Sequence, residues 1–409
     1  MLISDGFMPN RLTRRALLAF LSLVSIAGAS TPVRTEVRAL WVVRTSLTSP
    51  AAVEAIVDSA RAGGFNTLLV QIRGRGDAYY ADGIEPRPRE LTSQPAFDPL
   101  GTIVRRAHEA GIDVHAWINV NLVADSNELP SARTHVIYRH PEWLMVPRAL
   151  AEDLVEVDPR SPEYLGRLAR YVRAQTATIE GLYVSPITTA AADYMAAVVR
   201  DIAQRYAVDG VHLDYMRYPS DDFDYSRGAL AAFRRSVVGD LTPADQRRYD
   251  GRLQAEPLIY AQAFPERWHA FRTARLTALA ARLREVVKAA RPSALVSAAV
   301  APDAAEAASR RLQEWSRWVA QDFVDVVCPM AYTTDRAVFA SQIAAAAGLA
   351  GSQRLWAGIG AYRLSRDQVL DNIQTARRLG AGGIVLFSYD SLTAPTEGSA
   401  SLSQLGRAF

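Results

Sequence analysis

DGVHLDYMRY, at residues 209–218, reads as a strand with two different faces and a polar end. Side chains alternate across a strand, so Val211 and Leu213 form one set and His212 and Asp214 the other. The apolar set suits a layer of covering helices. That leaves His212 and Asp214 facing inward, with Asp214 nearer the C-terminal end. Seven more β-rich runs of this kind flank it. RALWVV starts at Arg38, NTLLVQIR at Asn66 and DVHAWINV at Asp113; ALVSAAVAP starts at Ala294, VDVVCPMAY at Val324, RLWAGIGAY at Arg354 and GGIVLFSYD at Gly382. In the second half successive runs begin about 30 residues apart, the length of one βα unit.

The intervening segments carry the 3.6-residue period of helices. Val53, Ile56, Val57 and Ala60 share one face, opened by Ser49-Pro50 and closed by Gly63-Gly64. Ile103, Val104 and Ala107 do the same before Gly111. Eight βα units predict an α/β fold, a (β/α)8 TIM barrel, as a single domain over residues 36–405. An open doubly wound sheet is the competing architecture, but no glycine-rich dinucleotide turn follows the first strand. Two intervals exceed the rest: 121–194 after strand three and 219–268 after strand four. Both follow the strand ends where barrel sites are built, so they are expected to wall a substrate groove.

The composition narrows the function classes. Of 409 residues 49% are hydrophobic and 22% charged, enough for a large core and too apolar for wholesale disorder. A net charge of +3, much of it contributed by Arg11, Arg14 and Arg15, leaves no basic surface for nucleic acid. The one cysteine, Cys328, excludes internal disulfides and cysteine-rich metal sites. Residues 11–31, RLTRRALLAFLSLVSIAGAST, place three arginines before a short apolar run and the small residues Ala27-Gly28-Ala29. This predicts a signal peptide over residues 1–29, with Arg14-Arg15 hinting at twin-arginine export. The mature protein is then expected outside the cytoplasm, secreted or periplasmic, with no membrane segment after cleavage.

Strand alternation assigns a set of polar side chains to the barrel mouth. His115, Trp117, Asn119 and Asn121 point inward from or just beyond strand three, and Gln71 and Arg73 share one face of strand two. Arg44 follows strand one and Arg217 follows Asp214; the later strands end at Asp303, Tyr332, Tyr362 and Tyr389-Asp390. Polar groups converging from separate strands are costly unless paired or hydrated, which makes them site candidates. The plain structural reading of Asp214 is an ion pair with Arg44, Arg73 or Arg217. Glycines Gly380, Gly382 and Gly383 precede the last strand and so lie at the wrong rim for a phosphate cradle.

DGVHLDYMRYP at 209–219 resembles the signature of the glycosyl-hydrolase-like TIM-barrel family, a former domain of unknown function that includes bacterial glycosidases acting on denuded peptidoglycan. The similarity extends to RALWVVRTS at 38–46, GFNTLLVQIRGRGDAYY at 64–80, AHEAGIDVHAWINVNLV at 107–123, HPEWLM at 140–145 and LYVSP at 182–186. VSAAVAPD at 296–303, VDVVCPMAYT at 324–333 and GGIVLFSYDSL at 382–392 complete it, in order over about residues 36–395.

The resemblance implies a secreted glycoside hydrolase acting on a cell-envelope polysaccharide, peptidoglycan glycan strands foremost, with no cofactor and no metal. Such chemistry needs two carboxyl groups flanking the scissile bond. Asp214 matches the family's acidic position and is expected to be nucleophile or base, kept ionised by Arg217 or Arg44. Asp303 is the first choice for the second carboxyl, followed by Asp335, Asp390 and Asp77. Trp117, Tyr215, Tyr332, Tyr362 and Tyr389 are expected to stack on sugars. Asn119, Asn121 and His212 are expected to contact the glycan, with a hydrogen-bonded barrel lining as the plainer reading of His115 and His212, and Arg44, Arg73 and Arg217 are expected to favour an anionic glycan. A glycan-binding barrel without catalysis is the alternative. A metal-assisted hydrolase using His115, His212 and Asp214 is a third reading, without HxH or HExxH spacing to support it.

Overall fold

The computed structural model describes residues 36–394 and 400–405. The signal peptide expected at residues 1–29 lies outside the described residues. Ten strands follow in chain order: β1 Val37–Val42, β2 Thr67–Arg73, β3 Asp113–Asn119, β4 Leu122–Asp125, β5 Gly181–Tyr183, β6 Gly210–Asp214, β7 Leu295–Val300, β8 Val326–Pro329, β9 Trp356–Ile359 and β10 Gly383–Leu386. Eight of them form one parallel sheet in the order β8-β7-β6-β3-β2-β1-β10-β9. The ends meet through single bridges, Val327 to Leu355 and Met330 to Gly358. At that seam a Cβ on Gly358 would stand 2.6 Å from the Pro329 carbonyl oxygen, so a side chain there would pry the barrel open. The (β/α)8 barrel expected from the eight βα units is what the chain builds.

Two apolar layers explain why alternation read correctly. Val114, Ala116, Ile118, Val211 and Leu213 belong to the large cluster between strands and helices. Trp41, Leu69, Trp117, Cys328 and Trp356 form a separate cluster filling the barrel itself. The helices close over the outer layer as their capping signals require. Ser49 Oγ accepts from the Ala52 amide 3.2 Å away to start helix Pro50–Ala62, and Asp98 caps helix Pro99–Glu109 in the same way. Among the described residues no helix is long and apolar enough to cross a membrane.

The two long intervals carry structure of their own. After β3 the chain forms β4, three short helices between Val136 and Ala174, and β5, which pairs antiparallel with β4. The barrel helix Thr189–Arg205 follows. After β6 come helices Arg227–Val238, Pro243–Asp250 and Ile259–Ala263, and then the long barrel helix Pro265–Ala290.

Candidate active site

A cavity of about 370 Å³ opens at the C-terminal ends of the strands. Asp214, the last residue of β6, lines it together with Trp41, Trp117, Tyr215, Tyr332 and Phe387 as an aromatic wall, and with Arg44, Arg75 and Arg217 as the cations. Gln71 and Asn119 supply amides.

The Asp214 carboxylate is held on both oxygens. Its Oδ1 accepts from the Tyr215 amide at 2.6 Å and its Oδ2 from Trp117 Nε1 at 3.1 Å. Tyr215 adopts φ +49°, a left-handed turn that brings its own amide back onto the carboxylate. The Arg217 guanidinium lies 3.9 Å from Oδ1. Burial pushes the Asp214 pKa above its ordinary value, outweighing Arg217 and the two N–H donors. The arginine expected to keep Asp214 ionised is in place as Arg217, though burial has the larger effect. The carboxyl lines the cavity from a largely buried seat, with a proton affinity above that of a free aspartate.

Two histidines lie beneath the cavity lining. Trp41 Nε1 can only donate, and it donates to His212 Nε2 at 3.1 Å. His212 Nδ1 therefore carries the proton and donates to Ser297 Oγ at 2.9 Å. Both ring nitrogens are spent, so His212 neither lines the cavity nor has a lone pair for a metal, contrary to its expected contact with substrate. His115 lies a further layer down, opposite Gly210 in the register and 5.4 Å from the Trp356 ring. Burial depresses the pKa of His212 to about 3 and that of His115 to about 4, so both stay neutral.

Several expected site residues lie elsewhere. Arg73 is fully buried, its guanidinium paired with Glu85 at 2.5 and 2.6 Å and its Nη1 on the carbonyls of Asn119 and Val120. A register shift after Gln71 pairs Arg73 with outward-facing Ile118 rather than with the inward row, which reverses its face. Asn121 donates to the Val184 carbonyl at 2.9 Å and anchors the chain where it leaves β3. Tyr389 turns away to pair with Ser59 on the first helix. Tyr362 packs edge-on against Tyr332 and Phe387, one ring outside the lining.

Asp303, the first choice for the second carboxyl, is exposed and caps helix Ala304–Arg311 by accepting from the Glu306 amide at 2.9 Å. Asp335 caps the helix Arg336–Ala350 in the same manner. Asp390 is half buried in the first turn of the short helix Tyr389–Thr393 that follows β10, and accepts from the Ser46 hydroxyl. A short acidic residue after a strand is as good a helix cap as a catalyst, and sequence does not separate the two.

What the sequence reading missed is the charge balance of the rim. Arg44 pairs with Asp77 at 3.4 Å, Arg75 with Asp125 at 3.8 Å and Arg217 with Glu180 at 3.2 Å. Asp125 and Glu180 come from one end of the β4–β5 ribbon, where Asp125 stands opposite Gly181. Each of these three cations thus has a carboxylate within 4 Å. Among the residues lining the cavity, Asp214 is the one carboxylate.

The family model described as glycosyl hydrolase-like 10 matches residues 36–173 and 167–363. The glycosyl hydrolase YngK of Bacillus subtilis (strain 168) is 24% identical over 172 residues, 40% of this chain and 27% of that protein. The glycosyl hydrolase DigH of Escherichia coli (strain K12) is 26% identical over 165 residues, 37% of this chain and 30% of DigH. The matches thus span less than a third of those relatives' lengths. Among solved structures, the glycoside hydrolase domain of PgaB (BpsB) from Bordetella bronchiseptica superimposes with a TM-score of 0.59 at 16% identity, covering 87% of this chain and 95% of that one. The catalytic domain of β-amylase from Paenibacillus polymyxa does so with a TM-score of 0.58 at 10% identity, covering 92% and 98%. At such identities the likeness is one of fold.

Proposed function

Because the chain belongs to the glycosyl hydrolase-like 10 family, we propose that it is a glycosidase cleaving a polysaccharide of the cell envelope, with Asp214 as the carboxyl group at the scissile bond. The observation that carries the reading is that Asp214 lines an aromatic-walled cavity at the catalytic end of the barrel, hydrogen-bonded on both oxygens. Trp41, Trp117, Tyr215 and Tyr332 line the cavity with aromatic rings, a surface suited to sugar rings. The raised proton affinity of Asp214 fits protonation of the leaving oxygen, the step that makes a sugar alkoxide a tolerable leaving group.

Peptidoglycan glycan strands are the substrate we put first. The support is the family membership together with the arginine-led N-terminal segment, which fits export to the envelope. The arginines at the mouth are already matched by carboxylates, so we assign them to holding those carboxylates in place; a lactyl carboxylate on the glycan is tolerated rather than sought.

One observation favours a second reading, a glycan-binding barrel without turnover: a single carboxylate lines the cavity where hydrolysis ordinarily employs two. Incubating the protein with peptide-free glycan strands and analysing soluble products separates the two. Released fragments with new reducing ends support the hydrolase; co-sedimentation with the strands and no fragments supports the binding module.

A further inference from the structure

Arg217 sits between two carboxylates that arrive from different parts of the chain. Its guanidinium is 3.2 Å from Glu180 Oε1 and 3.9 Å from Asp214 Oδ1. Glu180 precedes β5, in the interval inserted after β3, whereas Asp214 ends a barrel strand. The guanidinium has little freedom to choose between them. Its side chain is about nine-tenths buried, and it lies 4.2 Å from the centre of the Tyr215 ring. Glu180 is fixed from its other side, where Tyr183 donates its hydroxyl to Oε2 at 2.7 Å.

We infer that Glu180 is a positioning residue for the glycosidase reaction: by holding Arg217 on the ribbon side, it withholds part of that positive charge from Asp214 and keeps the reacting carboxyl able to carry its proton. The inference rests on the assignment of Asp214 proposed above. A guanidinium shared by two anions stabilises each less than it would stabilise one. Were Glu180 neutral, its own repulsion of the Asp214 carboxylate would vanish and Arg217, no longer tethered at 3.2 Å on the ribbon side, could close on Asp214 to a distance where an opposite charge lowers a carboxyl pKa by about 1–3 units.

The other groups facing this carboxyl do not supply a rival charge. Trp117 and the Tyr215 amide are neutral donors. Tyr215, Tyr183, Tyr332 and Cys328 are all pushed upward by burial and remain uncharged. Arg75 and Arg44, on the cavity wall, are matched by Asp125 and Asp77. Burial raises the Glu180 pKa, but Arg217, the Tyr183 hydroxyl, a backbone N–H and Arg311 together bring it below its ordinary value, so Glu180 keeps its negative charge. The ribbon insertion therefore has a chemical part to play beyond walling the groove.

The test is Glu180→Gln, read in two ways. Titration of ¹³C-carboxyl-labelled aspartate, with the Asp214 resonance identified by its loss in Asp214→Asn, is expected to show the Asp214 pKa about 1 unit lower in Glu180→Gln than in the unaltered protein. The alkaline limb of kcat/KM on peptide-free glycan strands is expected to move to lower pH by the same amount. Glu180→Asp, which restores the charge, should return both toward their starting positions. An Asp214 pKa that stays put or rises in Glu180→Gln overturns the inference, as does a displaced pKa that Glu180→Asp leaves displaced. A protein that never cleaves the glycan defeats the hydrolase reading instead, and the titration still decides the coupling.

Discussion

Replacing Asp214 by asparagine keeps the side chain's size and removes the carboxyl proposed to carry the proton. Loss of a positioned general acid costs about 10²–10⁴ in rate, or about 3–5 kcal/mol of barrier. The same change has two opposed effects on stability. Both carboxylate oxygens accept N–H bonds, at 2.6 Å from Tyr215 and 3.1 Å from Trp117; an amide has one oxygen, so one donor is left facing an NH2 group. An orphaned buried donor costs about 1–3 kcal/mol. Against that, folding penalises the charged form of Asp214, since its pKa in the folded protein is raised by burial. Between its ordinary value of 3.8 and the raised one, the folded protein binds more protons than the unfolded chain, so this group's contribution to stability falls as pH rises through that window. Asp214→Asn lacks that slope. Its melting temperature should therefore compare better with the unaltered protein at pH 7 than at pH 3.5, with the net difference at pH 7 within about 2 kcal/mol. Reducing-end release from peptide-free glycan strands, measured beside thermal unfolding at both pH values, checks the two halves together. More than a tenth of the normal rate in a folded Asp214→Asn protein would refute the assignment of this carboxyl to the reaction.

The buried pair Arg73–Glu85 should behave as architecture. Arg73→Met is expected to cost about 3–5 kcal/mol in urea unfolding by stranding Glu85, and Arg73→Met with Glu85→Leu to recover most of it; a loss below about 1 kcal/mol would show the guanidinium to be unneeded where it lies. The two interior histidines are held neutral, with pKa values of about 3 and about 4 against an ordinary 6.5, so stability present above pH 6.5 should be lost as pH falls toward 4. Each contributes a slope of up to about 1.4 kcal/mol per pH unit, and His115→Phe should flatten the curve; a flat curve in the unaltered protein would contradict their burial as neutral rings. Methyl-esterifying the lactyl carboxylates of the glycan should change kcat/KM by less than about tenfold, equivalent to 1.4 kcal/mol, because the mouth arginines are already matched; a larger drop would mean that one of them binds the anion.

Much of the architecture could be read without coordinates. Strand alternation in DGVHLDYMRY and DVHAWINV sorted Val211, Leu213, Val114 and Ile118 toward the helices and Trp117 and Asp214 toward the interior, as the two apolar clusters show. Ser49-Pro50 and Gly63-Gly64 marked the ends of the first helix, because caps and left-handed turns are local events written in a few residues. Alternation failed at Arg73, where an irregularity after Gln71 slips the count by one, and nothing in the residues announces the slip.

Local rules also left the roles of the acidic residues undivided. Asp303 and Asp214 both follow or end an apolar strand, yet one caps an exposed helix and the other sits dry above a tryptophan. Glu180 carried no motif at all; it reaches Arg217 because a ribbon folded from the insertion after β3 brings it there. Periodicity, capping and turn chemistry depend on neighbours in the chain, so the amino-acid order alone determined the strands, the helices and their enclosure into a barrel. Proton affinity and charge pairing depend on distance and on exclusion of water, and only the closed tertiary structure decided which of the candidate carboxyls lines the cavity and which arginine it shares.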